Sequence, residues 1–262
     1  CASVAISFLG PAMTPEELHN IYQAESDFWW YEGMRAITWA LLDPLLPSGL
    51  ASGLDAGCGT GMNALEFERR YGIRMYGVDL AQIGIEYCRK RNLARTAVAS
   101  VLALPFGDSS FDFVSSMDVF PVLPPGGDEQ ALRDFRRVLR PGGWLVLRVA
   151  AFRTLRSRHS QYVSEGHRYR AGELLRKLAA ADFRVVRWTY ANAVLSPVAW
   201  VKFRIWENLA RQEPRSGVAE TLPPRLNRLL LSALQSEAAL IRSGFRFPVG
   251  QSLMVAARKP DS

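Results

Sequence analysis

The chain has 262 residues, 48% apolar and 22% charged, with a net charge of +7. This balance excludes a disordered chain and suits one α/β domain with an appended helical piece. No apolar run reaches membrane-spanning length, and residues 1–10 lack the basic leader of a signal peptide. In chain order, Thr14 and Glu17 fit a capping box opening a helix over 14–46, with Pro15 in its first turn. That stretch holds the aromatic cluster Phe28-Trp29-Trp30-Tyr31, then an apolar stripe of Ile37, Leu41, Leu42 and Leu45. A short strand at 53–55 enters the glycine turn Gly57–Gly61, and a helix follows over 61–71. Strand 74–79, helix 81–91 and a short strand at 96–99 continue the alternation. Strand 111–117 is followed by a Pro/Gly-rich loop over 121–127 and a helix over 128–139. The turn Pro141-Gly142-Gly143 leads into strand 144–149. Beyond Ala150 comes a polar, Arg-rich stretch over 151–170. Helix 171–181, strand 183–190, an amphipathic helix over 194–211, a soft linker over 213–224, helix 225–243 and strand 252–258 complete the chain. Strands alternating with helices imply an α/β, doubly wound parallel sheet with helices on both faces.

Charge is unevenly spread. Residues 1–132 carry 8 basic and 16 acidic side chains, and 133–262 carry 24 and 9. The basic half could face an anionic acceptor, a membrane surface or RNA, or simply solvate its helices. The three cysteines, Cys1, Cys58 and Cys88, are too few for a disulfide framework and point to a reducing, cytoplasmic setting. No Cys/His spacing resembles a zinc site.

The chemistry centres on Asp55-Ala56-Gly57-Cys58-Gly59-Thr60-Gly61. The glycines permit positive φ and close backbone approach, and N–H groups at the helix start can hold an anion. The spacing Gly-x-Gly-x-Gly departs from the dinucleotide fingerprint Gly-x-Gly-x-x-Gly. Asp55 would repel a pyrophosphate but welcome an ammonium. A ligand with both carboxylate and ammonium, such as the methionine part of S-adenosylmethionine (SAM), satisfies both features. Asp79, at the tip of the second strand, suits a bidentate bond to ribose hydroxyls, or else caps the next helix.

The segments LDAGCGTG (Leu54–Gly61), YGVDL (Tyr76–Leu80), ALPFGDSSFD (Ala103–Asp112) and RVLRPGGWL (Arg137–Leu145) resemble the successive motifs of class I SAM-dependent methyltransferases. The branch resembled is the small-molecule one that includes quinone-biosynthesis enzymes. The resemblance implies a seven-stranded, mostly parallel Rossmann-like sheet. Residues 1–48 would form a helical cap, 49–193 the cofactor-binding core, 194–243 a helical insert or lid, and 244–262 the final strand and tail. It also implies a cofactor site of Asp55, Ala56, Gly57, Cys58, Gly59 and Asn63 on the methionine part, and Asp79 and Leu80 on the ribose. Ser100, Val101 and Leu102 would meet the adenine, with Met117 and Trp30 bordering the methyl-transfer cleft. Ser100 departs from the family's Asp-Ala, so the adenine contact would fall to backbone at Val101 and Leu102. Pro121-Val122 stand where many relatives carry Glu-His, so any acid–base role of that pair is absent.

The acceptor is expected among inserts and terminal segments. His159, His167 and Tyr169 are the candidate bases, in a stretch whose arginines would favour a phosphate or carboxylate on the acceptor. Trp29, Trp30 and Tyr31 could cover the cofactor or cradle a cation. Trp200, Phe203 and Trp206, three apart, could form a lid, a dimer face, an interfacial membrane helix or plain core, while His19 reads as a helix-surface residue. The expected activity is methyl transfer to O, N or C of a small molecule by a monomer or homodimer, with peripheral membrane contact open. The alternatives are an RNA methyltransferase, which the basic half favours though no RNA module is recognisable, and a non-catalytic SAM-binding protein.

Overall fold

The structure, a computed structural model, describes residues 13–201, 216 and 222–261. Its centre is a seven-stranded sheet: β1 (Ser52–Ala56), β2 (Arg74–Asp79), β3 (Thr96–Val98), β4 (Phe111–Met117), β5 (Leu139–Ala150), β6 (Arg184–Ala191) and β7 (Ser252–Arg258). The spatial order is β3-β2-β1-β4-β5-β7-β6. The first five strands pair in parallel, and β7 lies antiparallel between β5 and β6. The order reverses beside β1, between β2 and β4, which places a ligand crevice beyond the carboxyl ends of those strands.

Alternation along the strands feeds two apolar layers. On β7, Leu253, Val255 and Ala257 face one layer, and Met254 and Ala256 the other. The first layer is closed by Leu132 and Phe135 of α5 (Gly127–Val138) and by Leu174 and Leu178 of α7 (Ala171–Ala180). The second is closed by Met34, Ile37 and Leu41 of α2 (Trp29–Leu42), Phe67 of α3 (Met62–Tyr71), and Leu234, Ala238 and Ile241 of α9 (Pro224–Arg242). The axes of α2 and α9 approach closely because Gly33 has no side chain: a Cβ there would lie 2.3 Å from Leu234 Cδ1. Both helices therefore belong to the core layer. Within the expected 194–243 lid, α9 lies on the face of the sheet, as α2 of the expected 1–48 cap does.

The helix expected over 14–46 is broken into α1 (Pro15–Ala24) and α2 by residues 25–28. The sequence carries no Gly or Pro there; the break is imposed by contacts of Glu25 described below. Helix α1 lies on α4 (Gln82–Lys90), with Leu18 packed beside Ala81 and Tyr87. Three short elements escape the sequence pattern: the 3-10 turns Phe120–Val122 and Arg153–Leu155, and α6 (Arg158–Tyr162). Of the amphipathic helix expected over 194–211, only α8 (Ser196–Val201), with Trp200 exposed, is described; Phe203 and Trp206 lie outside the described residues. No helix among the described residues is long and apolar enough to cross a membrane.

Candidate cofactor and acceptor site

β1 ends at Ala56 and the chain turns through Gly57 (φ +85°) and Gly59 (φ +51°) to Gly61 (φ +83°), the N-cap of α3. Only glycine enters these left-handed conformations without strain. At Gly57 there is also no room, since a Cβ would meet Val119 Cγ2 at 2.2 Å. At Gly59 a Cβ would meet nothing within 4 Å, so the turn opens onto free space there. The turn's own donors are largely spent: Gly57 N and Cys58 N bond Val78 O, Gly59 N bonds Asp79, and Gly61 N bonds Cys58 O. An anion is left with the first turn of α3, where Asn63 lies half-buried and the N-cap carries no side-chain bond.

Asp55 is 1% exposed. Its Oδ1 accepts from Ser115 Oγ at 2.7 Å, and its Oδ2 has no hydrogen-bond partner among the described residues. Burial, and secondarily the Asp79 charge, push its pKa to about 7. A buried carboxylate with one idle oxygen is a seat for a cation. Ser115 and Ser116 are the only hydroxyl residues in β4; Ser116 Oγ donates to Ala56 O at 2.8 Å, so the pair pins β1's end. Residues Asp55, Ala56, Gly57, Cys58 and Gly59 thus form one rigid rim.

Asp79 closes the rim from β2. Its Oδ2 takes Gly59 N at 2.8 Å and its Oδ1 takes Ala81 N at 2.9 Å, ahead of α4. It therefore fixes Ala81, the N-cap of α4, without itself capping that helix, and it ties the glycine turn to β2. Each oxygen keeps a lone pair for an incoming hydroxyl. Burial raises its pKa, opposed by the N–H groups of Ala81, Gly59 and Leu80. Beyond β3, Ser100 Oγ accepts from its own chain at Leu102 N (3.1 Å), Leu102 O accepts from Gln130 Nε2 (2.9 Å), and Val101 is buried.

A clasp fixes α1 over the turn. Glu25, 6% exposed, accepts from Thr60 Oγ1 of the glycine turn and from Arg91 Nη1. Arg91 also donates to Thr60 O at 3.2 Å and to Tyr22 O at 3.0 Å, and its guanidinium lies 4.3 Å from the Tyr22 ring centroid. Burial raises the Glu25 pKa, and Arg91 opposes it.

A second cluster lies beside this clasp. Met117 closes β4, buried, and Asp118 follows with φ +61°. Arg148, near the end of β5 and 7% exposed at its side chain, donates to Asp118 Oδ2 through Nε at 2.8 Å. Its guanidinium sits 5.0 Å from the Trp30 ring, which meets Tyr31 edge-on at 5.0 Å. Trp30 is thus set on the β5 end by Arg148. Tyr31 is half-buried, and its pKa is driven up by desolvation and by Glu25, Glu17 and Asp118. On α6, His159 Nδ1 lies 3.8 Å from Glu17 Oε1 of α1.

The three expected bases are in different places. His159 faces the cap. His167 is exposed and bonds Glu173 through Nε2 at 2.8 Å, although its backbone N hooks onto Pro121 O at 3.2 Å. Tyr169 is 2% exposed in the core, and its hydroxyl donates to Asp128 Oδ2 at 2.9 Å. Burial and Asp128 raise its pKa far beyond physiological pH. This placement gives Tyr169 a packing role in place of the acid–base role expected of it. His19 is exposed, as expected, with Nδ1 on Tyr87 OH at 2.8 Å.

The sequence reading passed over Glu17, Glu25, Ser115 and Arg148. Arg148 and Ser115 left a signal: each is a polar residue at a buried strand position, and a buried polar group needs a partner. Glu17 was masked by its fit to a capping box. Thr14 Oγ1 does accept from Glu17 N at 3.3 Å, but the Glu17 carboxylate turns inward.

Residues 54–147 match the family model described as a methyltransferase domain. The chain is 32% identical over 114 residues to a 2-methyl-6-phytyl-1,4-hydroquinone methyltransferase of Synechocystis sp., covering 42% of this chain and 34% of that one. It is 31% identical over 101 residues to the methyltransferase GfsG of Streptomyces halstedii, covering 36% of each. The matched stretch is thus well under two thirds of either relative. Among solved structures, the geranyl diphosphate C-methyltransferase of Streptomyces coelicolor, complexed with S-adenosyl-L-homocysteine, superposes with TM-score 0.54 at 19% identity, covering 88% of this chain and 80% of that one. The [4+2]-cyclase SpnF superposes with TM-score 0.55 at 23% identity, covering 87% and 81%. These two share the fold. With the glycine turn, the idle Asp55 oxygen and the strand order in one place, residues 54–147 are similar to the methyltransferase domain, on the fold of class I SAM-dependent methyltransferases.

Proposed function

We propose that this chain transfers a methyl group from SAM to a small-molecule acceptor held beneath α1. The single observation that carries the reading is Asp55, whose buried Oδ2 waits without a partner at the rim of a turn open at Gly59. SAM, when bound, supplies an activated methyl group on sulfur, so positioning can provide most of the acceleration. Asp55, Gly57, Gly59 and Asn63 would hold its amino-acid end, Asp79 and Leu80 the ribose, and the backbone at Ser100, Val101 and Leu102 the adenine. Met117 and Trp30 would border the sulfur. A small acceptor is supported by relatives named for a hydroquinone and for malonyl-[acyl-carrier protein]. The fold alone decides less, since a cyclase shares it.

The anionic acceptor expected from residues 151–170 loses support. Arg168 is engaged by Glu165, Ala151 O and Ser160 Oγ, and Arg156 by Glu165 O. The RNA reading weakens for a similar reason: Arg136, Arg137, Arg140 and Arg258 of the basic half are spent on Asp182, Asp134, Asp112 and Asp261. Calorimetry with SAM, S-adenosylhomocysteine and NAD tests the cofactor site. Binding of the first two without NAD is expected; absence of SAM binding would sink the reading. Methyl transfer from labelled SAM to small molecules, and none to bulk RNA at physiological salt, tests the acceptor class.

A further inference from the structure

Three guanidinium groups reach the surroundings of the glycine turn, and two of them are matched. Arg91 pairs with Glu25, and Arg148 with Asp118. Arg35, half-buried on α2, makes no ion pair among the described residues. Its side chain makes a single hydrogen bond there, from Nη1 to the backbone O of Glu25 at 2.8 Å. A guanidinium carries a fork of N–H donors, and most of this fork is unused. Burial pulls the Arg35 pKa below the usual guanidinium range, opposed by Glu66, Glu25 and Glu32 and assisted by Arg148. The Glu25 carboxylate is taken by Thr60 and Arg91, and the Glu66 carboxylate by Arg69 at 2.7 Å. A cation drawn partly out of water without an anion against it is costly until a ligand supplies one.

The packing of two helices places this charge. Along α2 and α3, Trp39 meets Phe67 edge-on at 5.1 Å and Tyr71 at 5.8 Å, and Asp43 accepts from Arg70 Nε at 2.8 Å. One turn earlier on each helix, Arg35 stands opposite Asn63, which agrees with the pull that Glu66 exerts on it. Helical side chains lean toward the start of their helix, and Arg35 leans to Glu25, whose carboxylate holds Thr60 of the glycine turn. Arg35 is thus beside the start of α3. That helix opens on Gly61, an N-cap without a side-chain bond, so its first N–H groups are left to a ligand. Asp55 Oδ2, buried and without a partner among the described residues, lies at the rim of the same turn. The charges acting on Asp55 are those of Asp79 and Arg148, so Asp55 and Arg35 do not satisfy each other. The turn is flanked by a carboxylate lacking a cation and a guanidinium lacking an anion. An α-amino acid, with ammonium and carboxylate on one carbon, answers both.

We propose that Arg35 grips the carboxylate at the amino-acid end of the methyl donor, so that α2 takes part in choosing that donor. This rests on the SAM reading above and adds to it a binding residue and a specificity. A donor that keeps the ammonium but lacks the carboxylate would leave Arg35 unmatched and bind less well. The planar fork of an arginine suits a carboxylate, where a lysine would offer only a point charge. Arg35 touches no reacting atom in this role. The carboxylate is the same before and after the methyl group leaves, so the grip acts on SAM and on S-adenosylhomocysteine alike.

The experiment uses the full chain as wild type, Arg35→Gln and Arg35→Lys, with folding checked by thermal melts and binding read by calorimetry. The probes are SAM, S-adenosylhomocysteine, decarboxylated SAM, which keeps the ammonium and lacks the carboxylate, and methylthioadenosine, which lacks both. Wild type should bind decarboxylated SAM about tenfold or more weakly than SAM. Arg35→Gln should lose about tenfold or more toward SAM and S-adenosylhomocysteine, with the other two probes unchanged within about twofold. Wild-type affinity for SAM in Arg35→Gln would overturn the proposal. So would an equal loss toward all four probes, which would make Arg35 a residue of the fold alone, or a wild type indifferent to the carboxylate. If wild type binds none of the four, the cofactor reading is what has failed. If Arg35→Gln does not fold, Arg35→Lys keeps the charge and carries the test: a loss confined to the two probes that bear a carboxylate is expected, and no such loss would overturn the proposal.

Discussion

The two ends of the crevice are built in opposite ways. The donor end is made of strand tips and one turn, and nearly every polar group in it is bonded to a neighbouring strand. Gly59 N is held by Asp79, Asp55 by Ser115, and Ala56 O by Ser116. The proposed acceptor end would draw on α1, α2, α6 and the loop after β4, segments far apart in sequence, where Glu17 Oε1 has no hydrogen-bond partner among the described residues. A common donor can be served by a rim fixed within the sheet. An acceptor that differs among enzymes is served by pieces attached to it.

Four substitutions would break or sharpen that contrast. The largest effect is expected at Asp55. Asp55→Asn should weaken SAM about a hundredfold or more, since a charge-assisted bond to an ammonium is lost from a buried site. The same change should raise the melting temperature at pH 8. The folded carboxyl, with a pKa of about 7, holds a proton that the unfolded chain has released above about pH 4. Stability from this group therefore declines as pH rises from about 4 to about 7 and is flat above, so the gain of Asp55→Asn should shrink toward pH 5. SAM affinity of the wild type should correspondingly fall as pH drops through about 7. Calorimetry and thermal melts at pH 5, 6 and 8 check all three statements.

Next comes the clasp. Glu25→Ala leaves Arg91 buried without its carboxylate and should cost about 3 kcal/mol of stability, read from denaturant unfolding. Asp79→Ala should weaken SAM about tenfold or more; unchanged affinity would sink the ribose assignment, and a fall in stability alone would leave Asp79 a tie for the turn. The smallest effect is expected of Tyr169→Phe, about 1 kcal/mol of stability through the lost bond to Asp128, with SAM affinity and turnover intact. A large loss of turnover there would restore Tyr169 as a base.

The donor end was legible in the sequence because its signals are local. Gly57, Gly59 and Gly61 are dictated by backbone conformation, and the strands 74–79, 111–117 and 252–258 stand at their expected bounds. Asp79 was readable in position, but its bond to Gly59 N was not, because it joins the tip of β2 to the turn after β1. The acceptor end resisted for a different reason. The break at Glu25 has no helix-breaking residue behind it and follows from a partner at Arg91. Glu17 keeps its local bond to Thr14 through its backbone, while its carboxylate turns inward toward α6, a placement that no local pattern encodes. Tyr169 sat in a polar, basic stretch yet belongs to the core, since its neighbours in sequence are not its neighbours in the fold.

The position of β7 has a further consequence, for the order in which the molecule can be made. β5 pairs Trp144 with Arg258 and Ala150 with Ser252, so it waits for a segment about a hundred residues downstream before its second edge is covered. By contrast, β1, β2 and β4 find one another within residues 52–117. Long-range pairings close late because the loop entropy must be met first. During synthesis, then, the cofactor rim can take shape while the tip of β5 that bears Arg148 still has an open edge. That tip is completed only once β7 has been made.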